Sequence, residues 1–247
     1  MTGGEAVYAV FLVGLLVMVY LFADAFQLLR EPDDGVLPIR SPATEGVGSY
    51  AFLRTTPGGR PVSFDRCRPV HYVVSAHGLP PDGVELVREA VDEVSERTGL
   101  TFVMDGVTSE VPRPRRNAAR GYAQDWTPVL IAWADRADFP VRDTGQAGDV
   151  EGIALNTWSM PSGPESARFV SGQIVLFRDN LAKIATGRSG RLIQKAILLH
   201  ELGHLVGLDH VSDPGELMAP MYTGLTGFGP GDRQGLAELG AVPCMPR

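Results

Sequence analysis

The stretch "LLHELGHLVGLDHV" (residues 198–211) constrains this chain most, because it holds three of the five histidines within eleven positions. The apolar residues Leu192, Ile193, Ala196, Ile197 and Leu199 precede it at helical spacing, and Ser189 stands where a helix cap is expected. Residues four apart stack on one face of a helix, so Ile193, Ile197, His200 and His204 lie along one stripe. The imidazoles of His200 and His204 can then point at one centre. Glu201, one position on, sits beside that centre, where a carboxylate can take a proton from water. Gly207 follows where the chain must leave the helix and turn back, a positive-φ conformation that glycine adopts without steric cost. That turn brings His210 round as a third neutral nitrogen donor. Three protein ligands suit a zinc ion whose fourth tetrahedral position stays open, which marks a catalytic site.

The extended pattern His200-Glu201-x-x-His204-x-x-Gly207-x-x-His210 resembles the metzincins, and within them the matrixin-like metalloproteases. The resemblance extends to "LMAPMY", where Met218, Pro220 and Tyr222 stand in the matrixin-like order Met-x-Pro-x-Tyr. It implies that Met218 forms a hydrophobic floor beneath the zinc in a methionine-containing turn. It also implies that Pro220, Met221 and Tyr222 form a wall of the pocket for the substrate side chain after the scissile bond. Near the C-terminus, Asp232, Gly235, Leu236 and Leu239 resemble the Asp-x-x-Gly-Leu-x-x-Leu of the last matrixin helix. The specific part of the resemblance is confined to residues 200–222 and, less strongly, 232–239.

The chain has 247 residues, 44% of them hydrophobic and 21% charged, which fits one globular domain with extensions. A net charge of -7 argues against a nucleic-acid partner. The one basic cluster, Arg113 to Arg120, lacks interleaved aromatics and reads as a solvated loop. Residues 6–23 are eighteen consecutive uncharged residues, just long enough to cross a bilayer as a helix. Ala23-Asp24-Ala25 offers a signal-peptidase pattern, but no Lys or Arg precedes the apolar run, so an uncleaved anchor is the favoured reading. Arg30 and Arg40 after it would favour a cytoplasmic C-terminus, diluted by Glu31, Asp33 and Asp34. Cys67 and Cys244 oppose that: they are placed so that a disulfide can staple the two ends of the domain, and such bonds persist in oxidising compartments. The expected location is therefore membrane-anchored with an extracytoplasmic domain, or secreted if the signal is cleaved. Cys67 does not match the propeptide motif by which many matrixins are silenced.

Three regions result: a transmembrane anchor over 1–26, a Pro/Gly-rich spacer over 27–66, and a metzincin-like zinc peptidase domain over 67–247. In the last, strands are expected at 69–76, 100–106, 128–135, 151–159 and 168–177. Amphipathic helix 81–99 carries Val84, Val87, Val91 and Val94 on one face and ends at Gly99. The fold class is thus α+β, a twisted mixed sheet of about five strands with three helices in the metzincin manner, preceded by one N-terminal transmembrane helix. Many matrixins hold a second, structural zinc upstream of the metal helix, but only His71 and His77 remain here, both near the first strand. Asp143, Asp149 and Glu151 offer oxygen ligands to Ca2+, although such loops are more often plain solvated turns.

What the resemblance implies is a zinc-dependent endopeptidase acting on a peptide or protein substrate. Glu201 would be general base, with one catalytic Zn2+ on His200, His204 and His210. Tyr222 could hydrogen-bond the reaction centre or merely pack, and residues 152–159 are the candidate cleft edge. Two other functions fit less well: a zinc-dependent amidase for a small substrate, and a non-catalytic zinc-stabilised extracellular binding module. A purely structural site has no need of Glu201 and tends to close its fourth position with another protein ligand.

Overall fold

The computed structural model describes residues 48–116, 126–140, 150–184 and 187–244. The elements run β1 (Ala51–Phe52), β2 (Val70–Ser75), α1 (Gly83–Thr98), β3 (Phe102–Thr108), β4 (Val129–Ala134) and β5 (Gly152–Ser159). After a 3-10 turn at Pro164–Ser166 come β6 (Arg168–Phe177), α2 (Arg178–Ile184), α3 (Gly187–Val206), β7 (Leu208–Asp209) and α4 (Pro230–Gly240). The main sheet is five-stranded in the order β3-β2-β4-β6-β5. Its pairs are parallel except β5, which runs antiparallel to β6 and lies at the edge. The expected α+β architecture with a five-stranded mixed sheet is present.

Burial explains the sequence patterns. All six residues of β4 are buried, as a central strand covered on both faces requires. On one face α1 presents Leu86, Val87, Ala90, Val91 and Val94, and α3 presents Ile193, Leu198, Leu199, Leu202 and Leu205, to the main core. Val84 is only half-buried. Gly99 ends α1 in the left-handed conformation at φ 70°, donating its N–H to the Ser95 carbonyl at 2.7 Å. On the other face Phe139 and Phe177 close a smaller cluster with Ala134 and Val175.

Several expectations change. Among the described residues there are four α-helices rather than three: α2 follows β6 directly, and seven residues are too few for a helical period to stand out. Ser189 lies inside α3 and is not its cap. Residues 48–66, expected as spacer, belong to the packed domain, with Val62 at 1% and Phe64 at 4% exposure. The prolines and glycines there build a hairpin, not a tether: Gly59 at φ 81° turns the chain, Thr56 N–H donates to the Arg60 carbonyl, and Gly59 N–H donates to the Thr56 carbonyl, both at 2.8 Å. Arg116 of the basic cluster is not solvated: its side chain is 7% exposed and holds Glu110 in a bidentate pair at 2.6 and 2.9 Å.

Cys67 and Cys244 are joined by a disulfide, 5.5 Å apart at Cα, across a sequence separation of 177. His71 is a surface residue, its Nδ1 2.7 Å from the Asp105 carboxylate. The anchor over 1–26, the remainder of the spacer, Asp143 and Asp149 lie outside the described residues. Among the described residues no helix is long and apolar enough to cross a membrane.

Candidate metal centre

Helix α3 ends at Val206, and Gly207 reverses the chain at φ 129°, as its position requires. A Cβ there would lie 2.7 Å from the Val62 carbonyl and 2.8 Å from Leu239, so the turn has no room for a side chain either. The reversal brings His210 Nε2 to 3.1 Å from both His200 Nε2 and His204 Nε2. These nitrogens form a candidate metal-binding group. Carbonyls fix the ring orientations: His200 Nδ1 faces the Leu217 oxygen at 2.7 Å, and His204 Nδ1 faces the Leu208 oxygen at 2.8 Å. With Nδ1–H donated, the Nε2 atoms of both rings carry lone pairs into the same small volume. Such a set repels itself unless a cation sits within it. The 3.1 Å separations also lie close to the ~3.4 Å expected between two nitrogens ~2.1 Å from a tetrahedral zinc. The donor set fits the metal.

Without metal, burial lowers the basicity of all three rings. His200 falls to about 3, by burial and then by the neighbouring His204. His204 falls to about 4 by burial, against the favourable Leu208 carbonyl. His210 is lowered by burial, with Asp209 opposing. All three stay neutral at pH 7, the form that ligates.

Glu201 is 6% exposed and lines the same cleft. Without metal, burial raises its carboxyl to about 8, Glu151 adds to the rise, and a hydrogen bond from the Ala154 backbone opposes it; a cation on the three histidines would favour the ionised form. Gly152 leaves space for it: a Cβ there would be 2.9 Å from Glu201 Cγ. The cleft is about 320 Å³, walled by β5 residues Gly152 to Leu155, by Pro220 and Tyr222, and by Leu53. The Tyr222 hydroxyl is buried without a hydrogen-bond partner among the described residues. Met221, expected in the pocket wall, is 77% exposed and outside the cleft lining.

Met218 is 1% exposed and packs beneath α3, where a Cβ on Gly203 would lie 2.6 Å from its sulfur. Its turn is held by two buried carboxylates that the sequence reading did not assign. Asp232 accepts from the N–H groups of Leu217 at 2.5 Å and Gly229 at 2.9 Å. Glu216, from the turn, accepts in return from the N–H groups of Gly231 and Asp232, both at 2.9 Å, at the start of α4. Asp232 was visible as part of a recurring helix pattern, but Glu216 gave no signal. Asn156 on β5 was also missed; its Nδ2 donates to the carbonyls of His204 and Leu205 at 3.0 and 3.2 Å, tying the end of α3 to the edge strand.

One solved structure, described as the GM1-bound form of the ECX AB5 holotoxin, is similar at 13% identity, over 68% of this chain and 64% of that chain. The chain thus spans a little under two thirds of it, and the TM-score of 0.41 is too low to carry an argument. Residues 143–239 match the family model described as matrixin, a span that contains the edge strand, the three histidines, Glu201 and the methionine turn. With that match and the convergent histidines above the buried Met218, residues 143–239 of this chain are similar to the matrixins.

Proposed function

We propose that this domain is a zinc-dependent endopeptidase in which Glu201 is the general base. The observation that carries it is a buried carboxylate beside a three-histidine centre, in a cleft open to a substrate. Zinc, when bound, supplies Lewis acidity that acidifies water and polarises a carbonyl. Glu201 takes a proton from the attacking water as its oxygen bonds to the peptide carbonyl carbon, then delivers it to the leaving amine as the C–N bond breaks. The Ala154 backbone and the empty space at Gly152 orient the carboxylate for both transfers. The Tyr222 hydroxyl, without a hydrogen-bond partner among the described residues, is a donor to the carbonyl oxygen as negative charge develops there. Among the described residues β5 pairs only with β6, so its outer edge can take an extended substrate backbone as an added strand.

The domain stands outside the cytoplasm in this reading, tethered by residues 6–23. The Cys67–Cys244 disulfide supports the oxidising location.

The test is Glu201→Gln, which keeps size and reach but cannot accept the proton at neutral pH. Zinc content should stay at the parent level while cleavage of a diverse peptide library falls roughly 10²–10⁴-fold. A Glu201→Gln protein that keeps its zinc and cleaves at the parent rate refutes the mechanism. A parent that hydrolyses only small amides is an amidase, and one that binds peptides without cutting them is a binding module.

A further inference from the structure

The hairpin 51–62 lies across the chain reversal that delivers the third histidine. Its first arm forms a two-stranded antiparallel ribbon with β7, pairing Ala51 with Asp209 and Phe52 with Leu208. Leu53 extends the ladder, donating its N–H to the Gly207 carbonyl at 2.9 Å. The second arm returns over the same point, where the Val62 carbonyl faces the Gly207 Cα.

Strand β7 is only two residues long and lies between two of the histidines. Its Leu208 carbonyl orients His204, and the Asp209 carboxylate accepts the His210 N–H at 2.8 Å. The loop has backbone restraints on two other sides. Gly207 N–H returns to α3 at the Gly203 carbonyl, 3.0 Å, and Val211 N–H bonds the Met218 carbonyl at 3.1 Å. Between those points the described backbone partner of β7 is the hairpin arm.

That arm is itself well fixed. Tyr50 hydroxyl bonds Glu238 on α4, Gly58 N–H bonds Glu165 at 2.8 Å, Thr55 bridges Pro61, and Val62 is buried. A rigid arm bonded to a short strand limits how far that strand can move.

We propose that residues 51–53 are a positioning element for the metal centre, holding His210 and the Leu208 carbonyl in register through the ribbon with β7. The inference rests on the metal-site part of the function proposed above and not on the peptidase activity. Partners behind metal ligands typically contribute roughly 10–100-fold to metal affinity. By thermodynamic linkage, zinc must stabilise the ribbon by the same factor by which the ribbon tightens zinc.

The variant is Leu53→Pro in the full domain, which removes the N–H that Gly207 accepts. Leu53→Ala keeps that N–H, and Val91→Ala, in α1, lowers stability away from the centre. Zinc affinity is read by chelator competition, and ligand geometry by the absorption spectrum of the Co2+-substituted protein. The expected result is at least roughly tenfold weaker zinc binding and a changed Co2+ spectrum for Leu53→Pro, with both controls within about threefold of the parent. Equal affinity in Leu53→Pro and parent overturns the proposal, as does an equal loss in Val91→Ala. Should Leu53→Pro fail to fold, hydrogen exchange on the parent decides. The Leu53 amide should slow on zinc binding at least as much as amides of α1, and an unchanged rate overturns the proposal. A parent that binds no zinc instead refutes the metal-site reading itself.

Discussion

Replacing Gly207 with alanine should destabilise the domain through two effects that the structure separates. At φ 129° the backbone occupies a region where an L side chain costs about 1–3 kcal/mol. The new Cβ would also stand 2.7 Å from the Val62 carbonyl, 2.8 Å from Leu239 Cδ2 and 3.3 Å from Phe169 Cε2. Leu239 can rotate, but the Val62 carbonyl belongs to fixed backbone, so overpacking adds about 1–3 kcal/mol. The sum, roughly 2–6 kcal/mol, is a large part of the 5–15 kcal/mol that holds a typical domain together. For a domain of this size it corresponds to a fall in Tm of roughly 5–20 °C. The measurement is denaturant unfolding of the zinc-free protein, so that lost metal binding does not enter the difference. A second titration with zinc should show weaker binding, because the same turn delivers His210. A zinc-free Gly207→Ala protein within about 0.5 kcal/mol of the parent would refute the reasoning, since surface changes alone fall in that range.

The purified domain should hold one tightly bound zinc, and His204→Ala should release it, as read by metal analysis after dialysis; two zinc ions per chain would reveal a second site. Cys67 and Cys244 should resist thiol reagents until reduced, and reduction should cost about 5 kcal/mol on the chain-entropy account of a loop closed across 177 residues. In zinc-free protein, pH acts with two signs. Glu201 at about 8 and Asp232 at about 6 lie above their ordinary 4.5 and 3.8, so folded protein gains stability as pH falls from 8 towards 6.5. His200 at about 3 and His204 at about 4 lie below 6.5, so the unfolded chain takes those protons first and stability is lost on further acidification, most clearly below pH 4.5. Thermal melts at pH 8, 6.5 and 4 check both, and Glu201→Gln should flatten the first rise; equal slopes in parent and variant would contradict the burial of that carboxylate.

What the sequence made legible was local. Helical spacing placed His200, Glu201 and His204 on one helix, and a glycine at the right offset announced the turn to His210. Alternation and apolar runs found all five strands of the main sheet. Helix α2 escaped because seven residues after a buried strand leave no clear change of period. The hairpin 51–62 looks like a tether in sequence because Pro57, Gly58, Pro61 and their neighbours have the same composition in a turn as in a linker. Only its partner distinguishes the two, and Gly207 lies more than 150 positions away.

The same limit applies to what surrounds the metal. Residues that ligate recur at spacings set by one helix, whereas residues that hold the ligands are chosen by contacts between distant elements. Leu217 and Leu208 orient imidazoles through carbonyls, for which side-chain identity is irrelevant, so no sequence pattern could announce them. Asp232 accepts from the N–H groups of Leu217 and Met218 in the methionine turn, and Glu216 accepts from those of Gly231 and Asp232 at the start of α4, so the two carboxylates hold turn and helix together across fourteen to sixteen positions. Both carboxylates are essentially fully buried, at 0% and 1% exposure, so their charge is tolerable only while those N–H groups remain aimed at them. The turn and the helix therefore stabilise each other or come apart together. Because Leu217 supplies both an N–H to Asp232 and a carbonyl to His200, the backbone that carries this exchange also sets the direction of the first histidine.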